Sequence, residues 1–249
     1  IWGLEVSYSS PLYSTQSTRS WSSVQGPPAS PDSWVLSPDG RKSQLGSGPV
    51  KESFEWYHKL IMDGFVPTSE AAPAGPGLDQ FTAGKMVAQA AEIGRVQADH
   101  DIIKDKFTYS AVLWPKGKAG SRGSCLSYNG HCMSAKTKYP EEAFHLLNAI
   151  TSTEAGFWAG YEGHANPFAR HSVWFDERLW QRYPIDKDGA SWLEQGIDPF
   201  PMPWNLRAQE YQDAFGQHTQ KYLDGKETWD QMFPATQKAV QDIIDQPRP

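Results

Sequence analysis

Apolar residues recur at helical spacing after the first 48 residues of the chain. Gly48 and Pro49 open the first such stretch, and proline suits the first turn of a helix because its missing N–H costs no hydrogen bond there. Four apolar side chains then fall on one helical face: Val50, Phe54, Tyr57 and Ile61. Gly64 follows as a stop signal, so the pattern predicts a helix between Gly48 and Gly64.

Further helices are predicted in the second half of the chain. One begins at Pro140, and its apolar positions Phe144, Leu147 and Ile150 are spaced for burial on one face. Thr153 is predicted to cap a short helix, "EAGFWAG". Two long helices are predicted at about residues 205–223 and 229–245, separated by Asp224-Gly225.

Short apolar runs bounded by Pro and Gly predict strands between these helices. "VLSPDGRKSQL" reads as strand, turn and strand, with the turn at Pro38-Asp39-Gly40. Residues 78–87 read as a short helix running into a strand that ends near Gly94, and "FTYSAVLWPKG" reads as a strand closed by Pro115 and Gly117. A further strand is predicted at "GSCLSYNG". Because strands alternate with helices, the predicted fold class is α/β.

Charge argues against two classes of partner. The 249 residues carry a net charge of -6, and their 23 Lys and Arg residues are scattered rather than clustered. Binding of nucleic acid or of an anionic membrane surface is therefore not expected. No apolar run approaches the roughly 20 residues that a membrane span needs. The opening "IWGLEVSYSS" reads as the middle of a buried strand, which predicts a processed or truncated chain.

Aromatic residues are abundant in an otherwise polar chain, with 11 Trp, 10 Tyr and 11 Phe. Such rings can be core residues, or they can stack on a ligand while their N–H and O–H groups form hydrogen bonds.

Catalytic and metal motifs are missing. "GPGLDQFTAGKM" has the wrong spacing for a phosphate loop, and no G-x-S-x-G, H-E-x-x-H or paired C-x-x-C occurs. The sequence predicts no cofactor and no metal.

The two cysteines, Cys125 and Cys132, allow three interpretations. Zinc bound with His131 would need a fourth ligand, and the six-residue gap is not that of a redox C-x-x-C pair. A disulfide in an exported protein is the best use of the pair. However, a two-residue hairpin turn at Asn129-Gly130 would place Cys132 opposite Ser127, so that a bridge to Cys125 would be diagonal.

Four segments, in this order, resemble the sugar-binding extracellular solute-binding proteins of ABC importers, the group that includes maltose-binding protein. They are "PVKESFEWYHKLIMDGFVP", "FTAGKMVAQAAEIG", "WPKGKAGSRGSCLSYNGHCMSAKTKYPEEAFHLLNAITSTEAG" and "EGHANPFAR". The resemblance implies a periplasmic-binding-protein-like fold of type II, with two α/β lobes. It implies that residues 1–113 and 163–249 form the C-terminal lobe, and that residues 114–162 cross into the N-terminal lobe.

By the same resemblance, most of the N-terminal lobe is missing from the 249 residues. The crossing segment would then leave the apolar face of Phe144, Leu147 and Ile150 uncovered unless a partner, such as a separate N-terminal-lobe chain, covers it.

The resemblance also implies a function. The protein would bind an extracytoplasmic solute, a sugar or oligosaccharide, between its lobes and deliver it to the membrane permease of an ABC importer. It would not be an enzyme, and it would be located in the periplasm or at the cell surface. The family's cleft positions fall on Trp21, Glu92, Arg95, Tyr128, Asn129, His164, Asn166, Trp204 and Asn205.

Each of these residues also has a structural interpretation. Glu92 and Arg95 can form a surface ion pair, His164 and Asn166 can satisfy backbone groups of a turn, and Trp204 can be a packing wedge. The family often has an aromatic residue where Ile93-Gly94-Arg95 stands, and the cysteine pair is not typical of it.

Two other functions stay open. A sensor or interaction domain would use the uncovered apolar surface of the helix at 140–150. A carbohydrate-active hydrolase would need two carboxylates about 5 to 10 Å apart. Carboxylates that could serve are Asp176, Glu177, Glu141, Glu142 and Glu210, but nothing in the sequence distinguishes them from surface charges.

Overall fold

The computed structural model describes part of the chain. The described residues are 2–5, 35–46, 48–68, 80–89, 95–113, 116, 120, 125–126, 130–162, 170–183, 200–201 and 205–247. For residues 2–5, 95–97, 125–126 and 200–201 the description covers the backbone alone. The chain divides into two units: unit 1 contains residues 1–90, 113–126 and 195–249, and unit 2 contains residues 91–112 and 127–194.

The described residues are mostly helical. The strands are β1 (Trp2–Glu5), β2 (Met86–Gln89), β3 (Cys125–Leu126) and β4 (Phe200–Pro201). The helices are α1 (Gly48–Met62), α2 (Arg95–Ile103), α3 (Pro140–Ile150), α4 (Thr153–Tyr161), α5 (His171–Trp174), α6 (Glu177–Arg182), α7 (Ala208–Leu223) and α8 (Trp229–Ile244). None of these helices is long and apolar enough to cross a membrane.

All four strands belong to unit 1 and pair in parallel. β1 pairs with β2, and β3 pairs with β4. In both pairs the partner strands are far apart in the sequence, as parallel pairing requires, because a parallel partner is reached only through a long crossover.

The core of unit 1 lies between α1, α7 and α8. Phe54 of α1 stands 5.9 Å from Phe215 and 5.7 Å from Trp229, measured between ring centroids. The predicted apolar face of α1 is confirmed, because its members are buried: Val50, Phe54, Tyr57 and Ile61. Gly64 lies in the turn that follows α1, with a φ of +77°, a conformation that glycine adopts without steric cost.

The predicted turn at residues 38–40 is present, but a single antiparallel bridge between Leu36 and Ser43 replaces the two predicted strands. α8 holds this hairpin through Ser43. The Ser43 hydroxyl donates to Gln237 Oε1 at 2.8 Å, and the Ser43 N–H donates to Gln241 Oε1 at 3.0 Å. Both glutamines lie one turn apart on α8, so one face of that helix fixes the hairpin.

Unit 2 has a smaller core around α4, α5 and α6, formed by Phe157, Val173 and Leu179. The helix at 140–150 is confirmed as α3, and none of its residues is buried. Of the three residues of the expected uncovered face, Phe144 is 55% exposed, whereas Leu147 and Ile150 are half-buried. The N-cap of α4 is Ser152 rather than the predicted Thr153, because the Ser152 hydroxyl accepts a hydrogen bond from the Ala155 N–H at 3.1 Å.

Two other predictions differ from the structure, and one helix is not anticipated by the sequence pattern. Residues 107–113 contain no strand, and Val112 is 84% exposed, so no buried face holds this run extended. Residues 80–84 form a turn rather than a helix before β2. α2 was not predicted, because the sequence "RVQADHDII" has only a weak apolar periodicity. The predicted boundaries at 113/114 and 162/163 stay a prediction.

Candidate functional site

Most of the predicted ligand residues lie outside the described residues. These are Trp21, Glu92, Tyr128, Asn129, His164, Asn166 and Trp204. Arg95 is the first residue of α2, and only its backbone is described. Asn205 is therefore the one predicted ligand residue with a described side chain, and the grouping of the nine stays a prediction.

Asn205 joins two segments of unit 1. Its Nδ2 donates a hydrogen bond to the carbonyl oxygen of Gly40 at 2.8 Å, and its Oδ1 accepts one from the Arg207 N–H at 2.8 Å. The amide thus connects the 37–43 turn to the start of α7. An amide has two N–H donors and two acceptor lone pairs, so one donor and one acceptor site remain for other partners.

Cys132 is a free cysteine with an exposed side chain. The Cys125 side chain lies outside the described residues, so the Cys125–Cys132 disulfide stays a prediction. Within the described part of the chain, no group of three His, Cys, Asp or Glu side chains could hold a metal ion.

Unit 2 contains an open pocket of about 430 Å³, here called the aromatic–arginine pocket. Its lining residues are Phe157, Trp158, Tyr161, Arg178, Gln181 and Arg182. The first three come from α4 and the last three from α6. Within each helix the residues that are three or four positions apart share a face: Trp158 with Tyr161, Phe157 with Tyr161, and Arg178 with Gln181 and Arg182. Two facing helix surfaces therefore build the pocket.

The rings of the pocket pack on one another. Tyr161 stacks on Phe157 with centroids 5.3 Å apart, and Trp158 meets Tyr161 edge to face at 5.6 Å. Phe157 is buried in the core of unit 2, whereas Trp158 is 49% exposed. The exposed indole is thus held by a buried neighbour and offers an apolar face to the solvent.

The two arginines of the pocket differ in their partners. Arg178 forms a bidentate pair with Asp176, with N···O distances of 2.9 and 2.7 Å, and its Cζ lies 3.8 Å from the centroid of Phe157. The hydrogen bonds from Arg178 lower the pKa of the Asp176 carboxyl. The charge of Arg178 is therefore compensated by a neighbouring carboxylate.

Arg182 is fixed through its Nε without a carboxylate. The Nε donates to the carbonyl oxygen of Tyr161 at 2.6 Å and to the Tyr183 hydroxyl at 3.2 Å. The Tyr183 hydroxyl has two acceptors within reach, the Tyr161 carbonyl oxygen at 3.1 Å and Asp101 Oδ2 at 3.4 Å. Within the described part of the chain, no carboxylate forms a direct ion pair with Arg182, and the Asp101 carboxylate acts on it only across Tyr183.

A second pocket, also of about 430 Å³, lies in unit 1 where α1, α7 and α8 meet. The His58 ring stacks on Tyr222 inside it, and burial lowers the pKa of His58. Burial, with a smaller contribution from Glu55, raises the pKa of Tyr222 to about 12. The Nε2 of His58 is buried without a hydrogen-bond partner in the described part of the chain.

Comparison with known proteins decides the family. A family model described as bacterial extracellular solute-binding protein matches residues 7–184. The chain belongs to this family. The sequence resemblance is thereby confirmed, and so is the prediction that the protein is not an enzyme, because this family binds solutes and is not catalytic. The hydrolase alternative is removed. No curated protein sequence matches the chain.

The solute-binding chain is also similar to solved structures. A maltose/maltodextrin-binding domain from Bdellovibrio bacteriovorus, bound to maltotriose, is 19% identical with a TM-score of 0.70. An ABC substrate-binding protein from Listeria monocytogenes, in complex with cycloalternan, is 13% identical with a TM-score of 0.72. They cover 98% and 97% of this chain, which spans 59% and 58% of theirs. The likeness shows a periplasmic-binding-protein-like fold.

The aromatic–arginine pocket was not predicted from the sequence. The sequence predicts a short helix at "EAGFWAG" but does not indicate that its tryptophan is exposed. Two signals were present: Trp158 and Tyr161 at i and i+3, and Arg178 and Arg182 at i and i+4. Neither signal shows that α4 and α6 face each other, which the fold supplies.

Proposed function

We propose that this protein binds an extracytoplasmic sugar or oligosaccharide in a cleft between two lobes and delivers it to the membrane permease of an ABC importer. The observation that carries the proposal is the family match over residues 7–184. The two similar structures add the kind of solute, since one is bound to maltotriose and the other to cycloalternan.

The chemistry of the proposed ligand residues fits a saccharide. Planar polar side chains such as Glu92, Asn129 and Asn166 would hydrogen-bond to hydroxyl groups. Aromatic rings such as Trp21 and Tyr128 would cover the C–H faces of the sugar rings. Closure of the lobes would remove these contacts from water, and the permease would bind the closed form.

The proposed lobes use the predicted boundaries. Residues 1–113 and 163–249 would form one lobe, and residues 114–162 would contribute to the other. The exposed apolar residues of α3 support a crossing segment that another part of the protein covers, because a helix of a complete lobe normally buries such a face. The 162/163 boundary has no such support, since the core of unit 2 joins Phe157 to Val173 and Leu179 across it. A separate chain carrying the remaining lobe is the proposed partner.

Titration of the protein with maltotriose tests the proposed function. The readouts are tryptophan fluorescence and the midpoint of thermal unfolding, because a ligand at 100 times its Kd adds about 2.7 kcal/mol to the free energy of unfolding. Substitution Tyr128→Ala is expected to weaken binding at least 10-fold, by about 1.4 kcal/mol. Trp56→Phe, outside the proposed cleft, is the control. A panel of neutral oligosaccharides that all fail to shift either readout, in a preparation that also contains the partner chain, contradicts the sugar assignment.

An interaction domain is the second candidate, and the exposed face of α3 favours it. The two candidates differ in what stabilises the protein. A transport component gains stability from a saccharide, whereas an interaction domain gains it from a protein partner that covers Phe144. Native mass measured with and without the saccharide separates them.

A further inference from the structure

The aromatic–arginine pocket combines an apolar ring surface with a cation that forms no ion pair among the described residues. Trp158 and Tyr161 supply the rings, and Arg182 supplies the charge. A ring surface beside a cation suits a flat ligand that carries a negative charge.

The position of the Arg182 guanidinium is well defined. Its Nε is held by the Tyr161 carbonyl and the Tyr183 hydroxyl, and its Cζ lies 5.0 Å from the centroid of the Tyr161 ring. The two Nη groups have no hydrogen-bond partner in the described part of the chain. A guanidinium with a fixed Nε and two open Nη groups can receive both oxygens of a carboxylate.

The rest of the lining selects the shape of the ligand. The Trp158 indole is half exposed and is held edge-on against Tyr161, so it can cover one flat apolar face. Gln181 supplies an amide for a further hydrogen bond. The volume of about 430 Å³ falls within the roughly 300–1,000 Å³ of small-molecule sites.

We propose that the aromatic–arginine pocket is a second binding site, for a six-membered ring that carries a carboxylate group. The carboxylate lies against the Nη groups of Arg182, and the ring lies against Trp158. A uronic acid and an aromatic carboxylate share this chemistry. The inference goes beyond the proposed function, because solute binding in the cleft does not require it.

The test uses the full chain and the indole N–H signal of Trp158 in NMR spectra, assigned by its loss in Trp158→Phe. The probes are D-glucuronate and benzoate, each paired with a neutral analogue, D-glucose and benzyl alcohol. A charged probe is expected to shift the signal with a Kd on the order of 1 mM, as befits one ion pair and one ring contact. The probe that binds identifies the ring as a sugar or an aromatic.

Variants locate the binding. Arg182→Gln is expected to weaken it at least 10-fold, since the substitution removes the charge-assisted hydrogen bonds to the carboxylate. Arg170→Gln is the matched control, because the Nε of Arg170 also donates to a backbone carbonyl, that of Thr151, outside the pocket. If Arg182→Gln does not fold, Gln181→Glu replaces it, since an added carboxylate at this exposed position should repel the probes.

Two results would overturn the inference. One is an equal response to the charged and neutral probes, or no response to any of the four probes. The other is a response that survives both Arg182→Gln and Gln181→Glu. Neither result would contradict the proposed function, which is tested by maltotriose titration of the wild type and of Tyr128→Ala.

Discussion

The imidazole ring of His58 stacks on the phenol ring of Tyr222, with centroids 4.5 Å apart and planes 25° apart. The contact joins α1 to α7 in the core region of unit 1. Burial disfavours the charged imidazolium there and lowers the pKa of His58 below its usual 6.5. A proton added to His58 in the folded state would lie in a partly dry site without a carboxylate partner in the described part of the chain.

This contact predicts that acid destabilises the protein. Below about pH 6.5 the unfolded chain binds a proton at His58 that the folded chain does not, so the free energy of unfolding falls as pH decreases toward the folded pKa. Above about pH 7 the contribution is fully present. His58→Phe keeps a stacked ring and removes the titrating group. The difference in the free energy of unfolding between this variant and the wild type should therefore shift in favour of the variant as the pH falls from 7.5 to 5. Urea unfolding at several pH values measures this, with a slope of at most about 1.4 kcal/mol per pH unit.

His145→Gln, on the exposed surface of α3 and away from the His58–Tyr222 contact, is the control substitution. Parallel profiles for the wild type and His58→Phe would show that His58 does not cause the acid sensitivity.

The hydrogen bonds of Asn205 predict a structural role for this residue. Asn205→Ala removes the donor to Gly40 and the acceptor for Arg207, and we expect a loss of about 1–3 kcal/mol in the free energy of unfolding. Asn205→Asp keeps the acceptor and removes the donor, so it isolates the contact to Gly40. Asn148→Ala, on the exposed surface of α3, is the control.

Chemical denaturation of the three variants measures these changes. A stability of Asn205→Ala within about 0.5 kcal/mol of the wild type would contradict the structural role. It would leave the proposed ligand role as the reason for an asparagine at this position.

The sequence predicts the long helices of this protein well, because their information is local. Val50, Phe54 and Tyr57 define the buried face of α1 by spacing alone, and Gly64 marks its end. The strand predicted at 107–113 is wrong for the opposite reason. A strand exists only where a distant segment pairs with it, and no local pattern contains that information.

The candidate site was less predictable. The ligand residues came from family resemblance, and Asn205, the one with a described side chain, has two of its hydrogen bonds within unit 1. The aromatic–arginine pocket depends on how α4 meets α6. Phe157 faces inward and Trp158, its neighbour in the sequence, faces solvent, a difference that a composition rich in aromatics does not reveal.

The exposed face of α3 predicts that Phe144 contributes little to the stability of the 249-residue chain. Phe144 is 55% exposed, whereas Phe157 of the same unit is 4% exposed. Phe144→Ala should change the free energy of unfolding by about 0.5 kcal/mol or less, and Phe157→Ala should cost about 3–5 kcal/mol. Chemical denaturation of the two variants, monitored by hydrogen exchange at the amides of α3 and α4, measures these changes.

The same face predicts self-association or binding of a hydrophobic dye, because exposed apolar surface favours both. Phe144→Glu should reduce dye binding and shift sedimentation toward the monomer. A large loss of stability in Phe144→Ala would instead show that another part of the protein covers this face.

The free thiol of Cys132 predicts alkylation of the native chain. Cys132 is exposed in the structure and forms no disulfide, so iodoacetamide should modify it without denaturant. The chain is purified without reductant, treated under native conditions and digested for peptide mass mapping. Cys132→Ser identifies the label by its loss. If Cys132 resists the reagent and the intact mass is lower by two hydrogens, the predicted Cys125–Cys132 disulfide forms in the mature protein. A stabilised loop of eight residues would then connect β3 to the segment that leads into α3.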